Sequence, residues 1–144
     1  MTTVDQLKEV FSDNFVAYFR SHIAHLNVTG RNFASDHKLL QKVYEDLQGQ
    51  IDTIGELIRS LNDYVADSID EVVSGSSVST LPIFGSADDL LTEVQGDLEQ
   101  LKGCYEELIE IAEEEDHDEI ANYAQDRILT LAKFIWMFKA TLEE

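Results

Sequence analysis

The sequence predicts an all-α fold: four long helices in one bundle, with a short extra helix in the connection between the second and the third. Three observations predict it. Apolar residues recur at steps of three and four through most of the chain. A single proline, Pro82, interrupts the pattern. Residues suited to helix caps stand ahead of the periodic stretches. With 144 residues the chain can bury one genuine core, so residues 1–144 are read as a single domain.

The first helix is expected over roughly residues 4–28, on a stripe of Leu7, Phe11, Phe15, Tyr18, His22 and His25. Thr3 with Gln6 offers its capping box, and Gly30 its stop. The second is expected over 34–61. Leu40, Val43, Leu47, Ile51, Ile54, Ile58 and Leu61 form its stripe, and Leu39, Tyr44 and Leu57 widen it beyond what one bundle seam requires. The third opens at Ser86, with Asp89 completing a capping box, and runs along Ala87, Leu91, Val94, Leu98, Leu101, Tyr105, Leu108 and Ala112. The fourth follows a short acidic turn, with Asp116 and Glu119 as its box and Ile120, Ala124, Ile128, Leu131, Ile135, Phe138 and Leu142 as its stripe.

Between the second and third helices lies NDYVADSIDEVVSGSSVSTLPIFGS, about twenty-five residues and too long for a plain bundle loop. Asp67 or Ser68 can cap a short helix through Val73, and Gly75 to Gly85 forms a turn-rich link. A long crossover at this point lets the second and third helices run in the same direction, which is a ferritin-like arrangement.

Ten Lys and Arg against 29 Asp and Glu give a formal net charge of −19, which repels phosphate backbones and anionic lipid and attracts cations. Direct DNA binding and membrane attachment are therefore not expected. Cys104 is the only cysteine, so an intramolecular disulfide and a cysteine-rich metal site are both excluded. The opening MTTVDQLKEVF lacks the flank and core of a signal peptide, and no stretch approaches the roughly 18 apolar residues of a membrane span, so a cytoplasmic location is expected. Asn27-Val28-Thr29 matches a glycosylation sequon, without meaning in such a compartment.

Chemistry concentrates in residues 22–56. Asp52 and Glu56 are four apart and share one face of the second helix. Such a pair alone is most often a solvated surface. His37 changes the weighing, because it lies fifteen residues before Asp52 on the same helix, about 22 Å away. One chain cannot bring the two to one cation. A two-fold dimer with antiparallel second helices can, and the extra apolar surface of that helix suits such an interface. His25 lies on the apolar stripe of the first helix and can join the site or serve as a hydrogen-bonded core histidine. His22 is read as packing beside it or supporting the ligands from behind, and His117 as solvated. Imidazole nitrogen mixed with carboxylate oxygen suits iron in both oxidation states, with zinc or manganese as alternatives.

The spacing His25, eleven residues, His37, fourteen residues, Asp52, three residues, Glu56 resembles the ferroxidase signature of the Dps or miniferritin family. The resemblance extends over nearly the whole chain, including the short helix in the crossover and the closing KFIWMFKATL. It implies a hollow shell of twelve subunits that oxidises iron(II) at two-fold interfaces, preferentially with hydrogen peroxide, and stores ferric mineral inside. His25 and His37 would come from one subunit and Asp52 and Glu56 from its neighbour, with Glu56 able to bridge two irons. Two departures stand out. The family's usual HWNV run reads His25-Leu26-Asn27-Val28 here, without the tryptophan, and no lysine-rich tail of DNA-binding relatives is present. The alternative implied by the family is a structural or DNA-protecting shell whose site is idle or holds zinc.

In the family the start of the last helix lines three-fold pores, and Asp118, Asn122 and Asp126 share one face there, a candidate path for iron entry. A solvated acidic face is the plainer reading, as it is for the run Glu113 to Asp116. Glu114 and His117 match the Glu-x-x-His step of intra-bundle di-iron proteins, but that design needs two such motifs, and this chain has one.

Overall fold

A computed structural model describes residues 1–143; Glu144, part of the acidic end of the chain, lies outside the described residues. Five helices follow in order: α1 Thr3–Asn27, α2 Phe33–Ser60, α3 Ile69–Ser74, α4 Ala87–Glu114 and α5 Asp118–Leu142. The four long ones form the expected ferritin-like bundle, and α3 is the short extra helix, capped by the Ser68 side chain. Among the described residues no helix is long and apolar enough to cross a membrane.

Cross-helix hydrogen bonds fix the directions. Asn14 Nδ2 donates to the Leu47 carbonyl and His25 faces His37, so residue numbers rise along α1 as they fall along α2. Gln6 meets Cys104 while Arg20 meets Asp97, so α4 is also antiparallel to α1. α2 and α4 therefore run the same way, as the crossover length requires. Leu7, Leu40, Leu47, Ile54, Leu98 and Phe138 are among the side chains wholly removed from water between the helices, and this burial is what holds four helices of mixed propensity together.

The ends of the helices depart from expectation at three places. At α1 the capping box is Thr2 with Asp5, not Thr3 with Gln6: Thr2 N–H donates to Asp5 Oδ2 and Asp5 N–H to Thr2 Oγ1. Thr3 is buried and donates to Glu115 instead, and Gln6 turns inward. The chain leaves α1 at Val28 in extended conformation, and Gly30, at φ +113°, reverses it two residues later. At α5 the expected Asp116–Glu119 box does not form, because Asp116 belongs to the end of α4. It sits at φ +62°, its N–H bonding the Glu113 carbonyl while His117 N–H bonds that of Ala112, a Schellman motif with aspartate in the usual glycine place. Asn62 closes α2 in the same way. The Ser86–Asp89 box at α4 is as expected.

Two buried side chains of α1 strap down the crossover. The Asp13 carboxylate accepts from Ser76 Oγ, Ser77 N–H, Ser77 Oγ and Val78 N–H at 2.6 to 3.3 Å. Arg20 donates to the Leu81 carbonyl while pairing with Asp97 and Glu93, both at 2.7 Å.

Candidate metal centre

Near the turn between α1 and α2, the rings of His25 and His37 stack with centroids 3.7 Å apart and planes 19° from parallel. Each Nδ1 lies 2.7 Å from the other residue's backbone carbonyl oxygen. A carbonyl can only accept, so both Nδ1 atoms carry the proton, and in the neutral rings both Nε2 atoms keep a free lone pair. The local sequence explains the reciprocity. His25 lies in the last turn of α1 and His37 in the second turn of α2, so the Gly30 reversal brings the two helix ends face to face.

The pair is set in an aromatic wall. Phe33 stacks on His37 at 4.9 Å, and Tyr44 meets His25 edge-on at 4.9 Å. His22 lies flat on Tyr44, 3.8 Å and 5° apart, and its Nδ1 shares a hydrogen bond with Tyr18 Oη at 3.2 Å. His22 is thus a packing residue, as expected. His25 is 6 % exposed and His37 half-buried. The rings are held in fixed orientation before any ligand arrives, which is the condition for tight coordination.

Asp52 and Glu56 lie elsewhere. Both are exposed on α2, toward the end opposite His37. The helix is continuous from Phe33 to Ser60, so the roughly 22 Å between His37 and Asp52 stands. One chain therefore carries an oriented imidazole pair at one end of α2 and a carboxylate pair exposed to solvent toward the other. Apolar surface is exposed around them. Leu26 is 65 % exposed, Phe19 52 %, and a groove of about 340 Å³ lined by Phe11, Phe15, Ile51, Val65 and Ile69 runs beside α2.

Asp118, Asn122 and Asp126 share an exposed face of α5, and Glu113 to Asp116 are exposed in the α4–α5 turn. His117 is half-buried at the start of α5 rather than fully solvated, and its side chain makes no capping bond. Residue spacing alone does not reveal the part played by Tyr18, Tyr44 and Phe33. All three lie within one or two turns of a histidine on its own helix, and that proximity was the available signal.

Comparison with known proteins follows the same lines. A ferritin-like domain model matches residues 4–144. The DNA protection during starvation protein of Helicobacter pylori is 31 % identical over 99 % of both chains. The protein of that name from Brevibacillus brevis is 27 % identical, again over 99 % of both. Among solved structures, Dps from Listeria innocua superposes with a TM-score of 0.94 at 25 % identity, covering 99 % of this chain and 95 % of its own. Dps from Staphylococcus aureus gives 0.93 at 25 % identity, covering 99 % and 95 %. With the helix order, the parallel α2 and α4 and the histidine-carboxylate spacing already established, these likenesses place the chain in the ferritin-like superfamily, as a member of the Dps or miniferritin family.

Proposed function

We propose that this protein oxidises iron(II), with hydrogen peroxide as the preferred oxidant, and stores the ferric product inside a shell of twelve copies. The observation that carries the reading is the paired imidazole: two rings fixed by reciprocal Nδ1–H bonds, each with its Nε2 available. Neutral imidazole with carboxylate is a donor set that tolerates both iron(II) and iron(III). Asp52 and Glu56 of a neighbouring copy complete the site across a two-fold axis, and the apolar groove beside α2 is covered in the same pairing.

Iron is the substrate. His25 and His37 bind it through Nε2, Asp52 and Glu56 neutralise its charge, and Glu56 can bridge a second ion. Paired iron(II) ions supply both electrons that peroxide needs to become water, so hydroxyl radical is not released. Asp118, Asn122 and Asp126, brought together from three copies, form the cation path inward. The relatives' name speaks of DNA protection. In this chain the net charge of −19 opposes direct contact with a phosphate backbone, so any protection works by consuming iron and peroxide.

The test is iron(II) oxidation followed by ferric absorbance after a peroxide pulse. Wild type is expected to oxidise bound iron quickly, and His37→Ala and Asp52→Ala to slow it at least tenfold. Equal rates in wild type and a His37→Ala, Asp52→Ala double variant refute the assignment.

A further inference from the structure

The aromatic wall beside the histidine pair contains a phenol with a base at its oxygen. Tyr18 and His22 lie one turn apart on α1, with Tyr18 Oη 3.2 Å from His22 Nδ1. Of the two groups the phenol is the stronger acid and the neutral imidazole the stronger base. The hydroxyl therefore donates and Nδ1 accepts, which leaves the imidazole proton on Nε2. His22 stacks on Tyr44 at 3.8 Å, and Tyr44 meets His25 edge-on at 4.9 Å. Tyr18 also lies against Tyr44 at a tilt, ring centroids 6.4 Å apart. A continuous run of rings thus leads from Tyr18 to one of the proposed iron ligands.

The base sets Tyr18 apart from the other tyrosines. A phenol that loses an electron becomes a strong acid, so it is readily oxidised only where its proton has somewhere to go. Tyr123 donates to Gln50 Oε1, an amide oxygen and a poor proton acceptor. Tyr105 Oη is buried without a partner. Burial holds the proton on both, pushing each phenol above its ordinary range. Among the described residues, Tyr18 is the one tyrosine of five whose hydroxyl meets a base. Other oxidisable groups are poorly placed: Leu26, next to His25, is aliphatic, and the single tryptophan, Trp136, is exposed on α5. Packing asks only for a ring at position 18, which phenylalanine supplies equally well. The hydroxyl adds a redox-active group.

The proposed iron oxidation draws both electrons for peroxide from a pair of iron(II) ions. A site holding one iron(II) has one electron to give, and peroxide reduced by a single electron yields hydroxyl radical. We infer that Tyr18, with His22 as its proton acceptor, supplies the second electron when a site holds one iron(II), an inference that rests on the proposed iron oxidation. The O–O bond of peroxide breaks, taking one electron from iron(II) and one from Tyr18 by way of Tyr44 and His25, and two protons from solvent complete two waters. The phenol proton passes to His22 Nδ1, within the range of direct transfer. Iron(III), a neutral tyrosyl radical and an imidazolium remain. A later iron(II) returns the electron to Tyr18 and becomes iron(III), and His22 returns the proton.

Rapid-freeze electron paramagnetic resonance tests this on the assembled protein. With one iron(II) per site and a peroxide pulse, wild type is expected to give a tyrosyl radical. Tyr18→Phe, which keeps the ring, is expected to lose that signal and to release severalfold more spin-trapped hydroxyl radical. In the metal-free protein, nitrogen-15 solid-state NMR of labelled histidines is expected to find the His22 proton on Nε2, and a proton on Nδ1 overturns the proposal without any iron present. Oxidation of two irons per site by wild type reports the parent reading separately. If that reaction is fast while the radical is absent from wild type, or is equal in Tyr18→Phe, the role of Tyr18 falls and the parent reading stands. Failure of wild type to oxidise two irons overturns both.

Discussion

If each iron site is shared between chains, two crippled chains repair each other when mixed. The perturbation is His37→Ala in one chain and Asp52→Ala in the other. On the continuous α2 these residues lie about 22 Å apart, whereas two ligands of one ion stand only about 4 Å apart. On the proposed reading every site therefore takes its histidines from one subunit and its carboxylates from the other. In a two-fold pair made of one chain of each kind, one site carries both faults and the other carries none. Random pairing of an equal mixture makes about half of the pairs mixed, so about one quarter of all sites are intact. The assay is ferric absorbance after peroxide is mixed with iron-loaded protein, on subunits reassembled together from the separated variants. Each variant alone is expected to be nearly inactive, and the mixture to recover about a quarter of the wild-type rate. A chain carrying both substitutions, mixed with wild type, offers no such rescue. A mixture no faster than the mean of its parents refutes the shared site.

Two further predictions concern the bundle. Arg127, with 6 % of its side chain exposed, reaches from α5 to Asp46 of α2 with contacts of 3.2 and 2.5 Å. Asp46→Ala strands a buried guanidinium and is expected to cost about 3–5 kcal/mol, while Arg127→Met leaves only a part-exposed carboxylate and costs less than about 2 kcal/mol; denaturant unfolding at one fixed chain concentration checks the order. Burial pushes the Asp97 carboxyl up to about 6 from its ordinary 3.8, with Arg20 opposing and Glu93 adding to the rise. The folded chain thus binds this proton at higher pH than the unfolded chain, so the group's contribution to stability is lost as pH rises from about 4 to about 6. The unfolding free energy of Asp97→Asn minus that of wild type should climb across that window and level above it, and a flat difference refutes the assignment.

The long helices were legible because each has a core-facing stripe at the helical period, as in α4 from Leu91 to Leu108. The crossover direction was legible from its length alone. What sequence missed were choices between near-equal local options. Thr2 and Thr3 can both cap α1, and the contact of Thr3 with Glu115, 112 residues away, decides between them. Asp116 can open α5 or close α4, and it takes the left-handed place that backbone sterics normally reserve for glycine. The spacing of His25 and His37 was visible in the sequence, but their mutual hydrogen bonds were not, since these depend on how Gly30 turns the chain. Glu9, Asp13 and Cys104 come together between α1 and α4 although Glu9 and Cys104 are 95 residues apart in sequence, and no local pattern signals a meeting at that separation.

The division of the proposed iron site into two half-sites has a physical logic of its own. A lone chain that buried all four ligands would hold two carboxylates and two imidazoles out of water before any metal arrived, at considerable desolvation cost. Here only the imidazoles are withdrawn from water, His25 almost fully and His37 in part, and their Nδ1–H groups are already satisfied by backbone carbonyls. The carboxylates remain hydrated on α2 until a second copy approaches. Desolvation then coincides with burial of the apolar groove beside α2, and the cation supplies the charge that the carboxylates lack. On this reading iron and assembly favour one another by linkage, so iron(II) should tighten the two-fold pair of wild type and leave that of Asp52→Ala unchanged.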